Sequence, residues 1–244
     1  MTGLGRMLRM EIRLFLREPL AVFLSVLLPA VILAALGAVP ALRRPDDLFD
    51  GYSLVAYFAP SLLVMTLATA GLTGLANVLA GYRERGVLRR LAVTPARPAT
   101  LLAAQLLLHL GVASLAATLL LIVGRVGFGV PLPGHLPGFA AVYLLGAAAL
   151  FALGLLVAAV APNQRVAGGT AGVLFLLTMF LGGVYLPRFL LPDVVNRIGA
   201  FSPPGVQALF DAWHGTPPRP AHLVTMALVA LVAGTVATKS FRWE

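Results

Sequence analysis

The stretch 81-GYRERGVLRRLAVTPARP-98 carries five arginines, one glutamate and two prolines between two long apolar runs. Charge at that density needs partners. Guanidinium groups bind carboxylates, phosphates or backbone carbonyls, and a carboxylate such as Glu84 binds cations or free amides. Two further polar sets lie inside apolar runs. Thr66, Thr69, Thr73 and Asn77 follow helical spacing and share a stripe roughly 80° wide. Ala70 lies beside the stripe and Gly74 flanks it. Such a stripe lines a substrate path or glues one helix to another, and both readings stay open. Gln105 and His109 stand one turn apart. An ionisable residue in a span is a functional candidate by default. A histidine held by Gln105 or by a neighbouring helix is the plainer account. There are no cysteines, so there is no disulfide framework, thiolate metal site or thiol nucleophile. No nucleophile–base pair, metal cluster or cofactor loop is visible. No G-x-x-x-x-G-K-[ST] phosphate loop occurs, and the one lysine, Lys239, lies in TKSF without preceding glycines. The chain is expected to be no enzyme by itself and to bind no cofactor.

The elements that position these residues follow from composition. Of 244 residues 59% are apolar and 11% charged, and the mean hydropathy is +0.94. Soluble domains carry about 25% charge. The apolar runs reach the ~20 residues that a spanning helix needs, which excludes a barrel of ~10-residue alternating strands. The expected fold is an all-α integral membrane protein, a single transmembrane domain over 1–244 with six spans at about 20–40, 54–80, 99–124, 137–161, 166–186 and 220–238. Pro29 is expected to kink the first span. Gly168, Gly169 and Gly172 suit close packing of the fifth.

Orientation follows from basic residues in short loops. One side holds Arg6, Arg9, Arg13, Arg17, Arg83, Arg85, Arg89, Arg90, Arg97, Arg165, Lys239 and Arg242. The other holds Arg43, Arg44, Arg125, Arg188, Arg197 and Arg219. Twelve against six puts both termini and the 81–98 loop in the cytoplasm. The net charge of +9 is thus a topology signal, and no nucleic-acid partner is expected. The arginine, alanine, leucine, glycine and proline enrichment suits a GC-rich bacterial genome, hence a bacterial plasma membrane.

Two segments are neither span nor plain loop. On residues 3–18, Arg6, Arg9, Arg13 and Arg17 share one face, with Leu4, Leu8 and Phe15 opposite. That pattern describes an interfacial amphipathic helix. A signal peptide with 35-ALGA-38 as its cleavage region is the alternative, and the leader before the apolar core is long for one. Residues 187–219 are too polar and proline-broken to span, yet carry Phe189, Leu190, Leu191, Val194, Val195, Ile198 and Phe201. They are expected to form a re-entrant helical segment on the outer side.

The loop says more than topology requires. Tyr82 to Val93 can continue as a helix without internal proline, and Thr94-Pro95 stops it. Arg85 and Arg89 lie one turn apart, as do Glu84 and Leu88, while Leu88 and Leu91 give a small apolar face. A short charged helix between two spans suits docking into a groove on a cytoplasmic partner. Glu84-Arg85-Gly86-x-x-x-Arg90-Leu91-x-x-Thr94-Pro95 resembles the loop between spans two and three of the ABC type-2 export permeases, including the daunorubicin-resistance type. The interfacial helix, the six spans and the outer apolar segment with 182-GGVYLP-187 and Ser202-Pro203-Pro204 resemble that family as well. Arg89-Arg90 departs from it, since many relatives carry an acidic residue before the arginine.

The resemblance implies that 82–95 is the coupling helix, which seats in a separate ABC ATPase subunit. Its ATPase-coupling residues would be Tyr82, Arg83, Glu84, Arg85, Gly86, Leu88, Arg89, Arg90, Leu91, Thr94 and Pro95. It further implies two ATPase copies carrying ATP and Mg, a second permease as homodimer or related partner, surrounding lipid, and export of an amphipathic drug-like or lipid-like substrate. Thr66, Thr69, Thr73 and Asn77 would line the substrate path. The rival classes are a proton-coupled exporter, for which only His109 offers a titratable group in the spans, and a non-transporting scaffold.

Overall fold

The computed structural model describes residues 3–49, 51–87, 98–186 and 190–240. Nine principal helices build the described part. A helix α1 (Gly3–Leu16) is followed by α2 (Pro19–Ala38), α3 (Leu54–Glu84), α4 (Ala99–Gly127), α5 (Leu136–Val160) and α6 (Gln164–Leu181). Two short helices, α7 (Asp193–Phe201) and α8 (Val206–Trp213), precede α9 (Pro220–Ser240). Six of them (α2 to α6, and α9) are long and apolar enough to cross a membrane, as the composition requires. No strand forms among the described residues.

α3 is the central helix and the most enclosed of the six. Ser53 starts it, its Oγ accepting from the Ala56 amide at 3.2 Å. Its flanks meet α4, α5 and α6. Glycine makes the closest approach possible. A Cβ on Gly154 of α5 would collide with the carbonyl oxygen of Gly71, so the two backbones touch there. The most extensive interhelical contact is α5 with α9.

Three spanning helices contain a wide π turn: Phe23–Leu27 in α2, Thr69–Leu75 in α3 and Val123–Gly127 in α4. Pro29 explains the first. Its ring has no N–H to donate and crowds the carbonyl one turn back. The wide turn just before it relaxes that conflict, and the Leu28 amide reaches back to Phe23 O. Within the α3 turn, polar side chains take up backbone carbonyls. Thr73 Oγ1 donates to Thr69 O at 2.8 Å, and Asn77 Nδ2 to Thr73 O at 2.6 Å.

At the end away from α1, α8 is buried along Val206, Leu209, Phe210 and Trp213. Phe210 meets Tyr57 of α3 at 5.5 Å between ring centroids, and Trp213 meets Phe139 of α5 at 6.3 Å. α7 stays on the outside, with Val194, Ile198 and Phe201 exposed. Residues 187–219 thus hold two short helices of opposite character, although 187–189 lie outside the described residues.

The α3–α5 contact yields a prediction. Gly154→Ala drives a methyl into the Gly71 carbonyl and should cost several kcal/mol, as overpacking does at a rigid contact. Gly111→Ala, with nothing within 4 Å of its added methyl, should be neutral or gain up to about 1 kcal/mol from helix propensity. Melting temperatures in detergent compare the two, and equal effects would contradict the close approach.

Candidate coupling site at the end of α3

The charge-dense loop is rooted in the last turn of α3. The helix stops at Glu84, Arg85 serves as its C-cap, and Gly86 adopts φ +68°. A continuous helix from Tyr82 to Val93 is therefore not what forms. Tyr82, Arg83 and Glu84 complete α3, and left-handed Gly86 breaks the direction after them, as a glycine at C′ does. Leu88, Arg89, Arg90, Leu91, Thr94 and Pro95 lie outside the described residues.

Three consecutive residues of that turn reach three different places. Tyr82 donates its hydroxyl to Glu11 Oε2 of α1 at 2.7 Å. Arg83 Nη1 donates to Ala158 O at 2.8 Å and Ala159 O at 3.0 Å, and its Nη2 donates to Ala161 O. Glu84 Oε2 accepts from the Gln164 amide at 2.8 Å. The electrostatics are matched. A helix end leaves carbonyls unpaired and slightly negative at its C-terminus, and amides unpaired and slightly positive at its N-terminus. Arg83 puts a cation on the C-terminus of α5, while Glu84 puts an anion on the N-terminus of α6. Asn163 completes the turn between them, its Oδ1 accepting from the Val166 amide at 2.9 Å. Arg85 is exposed, bonds back to Gly81 O at 3.1 Å and lies over the Tyr82 ring. An open cleft lined by Arg83, Glu84, Ala159 to Pro162 and Ser240 faces this joint.

Glu11 is the residue that sequence reasoning missed. It is 2% exposed. It also accepts from Gln105 Nε2 of α4 at 2.7 Å, on the same Oε2 that takes the Tyr82 hydroxyl. The signal was available. On a helical projection Glu11 falls on the face of Leu4, Leu8 and Phe15, where a carboxylate is out of place. Gln105 thus spends its amide on Glu11, while His109 Nδ1 pairs with the Gln105 backbone carbonyl at 2.9 Å. The His109 ring packs where a Cβ on Gly74 would sit.

The polar stripe of α3 divides. Thr66 is fully buried and its Oγ1 donates to Leu63 O at 2.8 Å. Thr69, Thr73 and Asn77 are half-buried. Asn77 Oδ1 lies where a side chain on Gly168 of α6 would go, so small residues on α6 let it approach.

Two predictions follow from the joint. Arg83→Ala strips several carbonyls of a charged donor and should cost about 2 kcal/mol. Arg83→Lys should restore little of it, since an ammonium cannot span the same fork. Thermal melting of the solubilised chain measures both, and full rescue by lysine would contradict the capping geometry. The second concerns Glu11. Burial holds its carboxyl above the ordinary 4.5, while hydrogen bonds from Tyr82 and Gln105 pull partly back. A pKa raised on folding stabilises the protonated form, and that contribution is lost as pH rises through the raised value. Melting temperature should therefore gain from this group as pH falls toward 4.5, and Glu11→Gln should flatten that gain. Parallel curves for the two proteins would show that the carboxyl titrates normally.

A family model for the ABC-2 type transporter matches residues 2–204, which includes α1, α3, the joint and both turns it caps. Neither a curated protein nor a solved structure gives a significant match. Six apolar helices and a family match over most of the chain make it a multi-pass membrane protein, and the chain belongs to the ABC-2 type transporter family as a permease subunit of an ABC transporter.

Proposed function

We propose that this permease is the transmembrane half of an ATP-driven exporter of the daunorubicin-resistance type. It would sit in a bacterial plasma membrane with both termini and the α3–α4 loop in the cytoplasm, and α1 would lie along the membrane interface. Two ABC ATPase subunits, which bind ATP and Mg, dock on the loops of two permease chains. The substrate is amphipathic, drug-like or lipid-like, and passes between the chains along Thr69, Thr73 and Asn77. Residues 187–219 dip into the outer leaflet without crossing it.

The observation that carries this reading is the joint at the end of α3. A loop that only fixed topology would need a few arginines and no wiring. Here the root of the loop holds α1, the end of α5 and the start of α6 through Tyr82, Arg83 and Glu84. A push on the loop from a partner is delivered to three elements at once. The direct contacts to that partner then fall to Arg85, Arg89, Arg90, Leu88 and Leu91. Tyr82, Arg83 and Glu84 act through the chain itself, which refines their role from contact to positioning.

The test is a pull-down of tagged, solubilised permease with the ABC ATPase encoded beside it. Wild type should retain the ATPase, and Arg89→Ala/Arg90→Ala should lose it while keeping its melting temperature. No retained ATPase on wild type would sink the ABC reading. In reconstituted vesicles, transport should need ATP and survive His109→Ala. Loss of transport in that variant, with ATP hydrolysis irrelevant, would favour a proton-coupled exporter.

A further inference from the structure

Burying a carboxylate is costly unless it is paired or well hydrogen-bonded, so its partners say why it is there. Among the described residues, no cation is paired with Glu11. The influences on its carboxyl are burial and two hydrogen bonds from neutral donors. The arginines of α1, Arg6, Arg9 and Arg13, are exposed on the other side of the helix. Around Glu11, α1 packs through Met7 with Leu101 and Tyr82, and through Leu8 and Phe15 with Val26 and Leu108. An apolar side chain at position 11 would extend that contact, but it would leave the Tyr82 hydroxyl and the buried Gln105 amide without their acceptor. The glutamate is therefore accounted for by those two partners and not by the apolar contact around it.

Tyr82 sits at the root of the loop, and Gln105 sits two turns into α4. Those two residues lie on helices at opposite ends of the same loop. Both donate at 2.7 Å to the single oxygen Oε2. One acceptor atom on α1 thus fixes the exit of the loop from α3 and its return into α4. We propose that Glu11 is a positioning residue of the coupling apparatus: through Oε2 it clamps α1 to both arms of the α3–α4 loop, so that α1 and the two arms move as one body. The inference rests on the exporter reading for what the movement does, though the clamp itself is a property of this chain.

Because both bonds land on one oxygen, the clamp needs an acceptor and not a charge. Glutamine supplies one carbonyl oxygen at the same reach, so Glu11→Gln keeps the clamp and Glu11→Ala abolishes it. A group that merely packed would give the same ranking through size alone, so Tyr82→Phe, which removes a donor and keeps the volume, separates the two. The absence of cysteine allows clean labelling. Spin labels at Met10→Cys on α1 and Leu107→Cys on α4, both exposed positions, report the distance across the clamp in the full chain.

The experiment measures that distance distribution in nanodiscs, together with ATP turnover of the permease–ATPase complex relative to ATPase alone. With wild type and Glu11→Gln the distribution should be narrow, and turnover in the two should agree within about two-fold. With Glu11→Ala the distribution should broaden, and stimulation by the permease should fall at least about five-fold, a loss on the scale expected for a coupling residue. Tyr82→Phe, which removes one donor and leaves the site filled, should fall between them, and it replaces Glu11→Ala if that variant does not fold. A narrow distribution and full stimulation in both Glu11→Ala and Tyr82→Phe would overturn the proposal. So would Glu11→Gln behaving like Glu11→Ala, since charge would then be the active feature. If wild type binds no ATPase, the exporter reading fails, and the label distances still decide the clamp.

Discussion

A helix that ends leaves its last carbonyls without donors, and one that begins leaves its first amides without acceptors. In this chain both problems occur side by side, where α5 ends and α6 starts four residues later. The Arg83 guanidinium answers the first and the Glu84 carboxylate the second. Both come from the last turn of α3. That constraint ties the most enclosed helix of the bundle to the turn between its two neighbours. Within that charge-dense stretch, Arg83 and Glu84 are committed inside the fold.

The commitment shapes how force can travel. Side chains that grip backbone at helix ends tie the gripped elements to α3 through charge-assisted bonds. The Glu11 oxygen adds α1 and α4 to the same assembly. Further into α3, the grip gives way to compliance. The wide turn over Thr69–Leu75 contacts α4, α5 and α6, and its carbonyls are served by Thr73 and Asn77. Wide turns inside helices often mark functional sites. A stiff joint at one end and a relaxed turn in the middle suit a helix that is pushed at its end and changes shape along its length.

Much of this fold was legible beforehand, for a physical reason. Spanning helices must satisfy their own backbone, so their length and apolarity show in the sequence without reference to neighbours. The helix over Gly3–Leu16 was legible from its 3.6-residue periodicity, and Glu11 was legible within it as the one charge on the face of Leu4, Leu8 and Phe15. Gly86 was a visible stop that a count of prolines alone passes over. The joint was not legible. Arg83 bonds carbonyls some 75 positions away, and carbonyls carry no sequence signature. The wide turns in α3 and α4 were not legible either, since no proline marks them as Pro29 marks the one in α2. The stripe on α3 shows the limit of periodicity: Thr66 and Asn77 share a face, yet the first is sealed by packing and the second is half-open.

The account's central claim is that the loop and the caps it roots move together. The direct measurement is a pair of spin-label distances in the permease–ATPase complex, with and without trapped nucleotide. One pair joins Val87→Cys at the root of the loop to Arg165→Cys at the start of α6. The other joins Val87→Cys to its copy in a second permease chain. A joint that transmits intact predicts that the first distance holds within about 2 Å while the second changes by several, as rigid elements in a two-state transition do. A large change in the first distance with α6 left in place would show that the loop moves on its own, and that Arg83 and Glu84 only stabilise the fold.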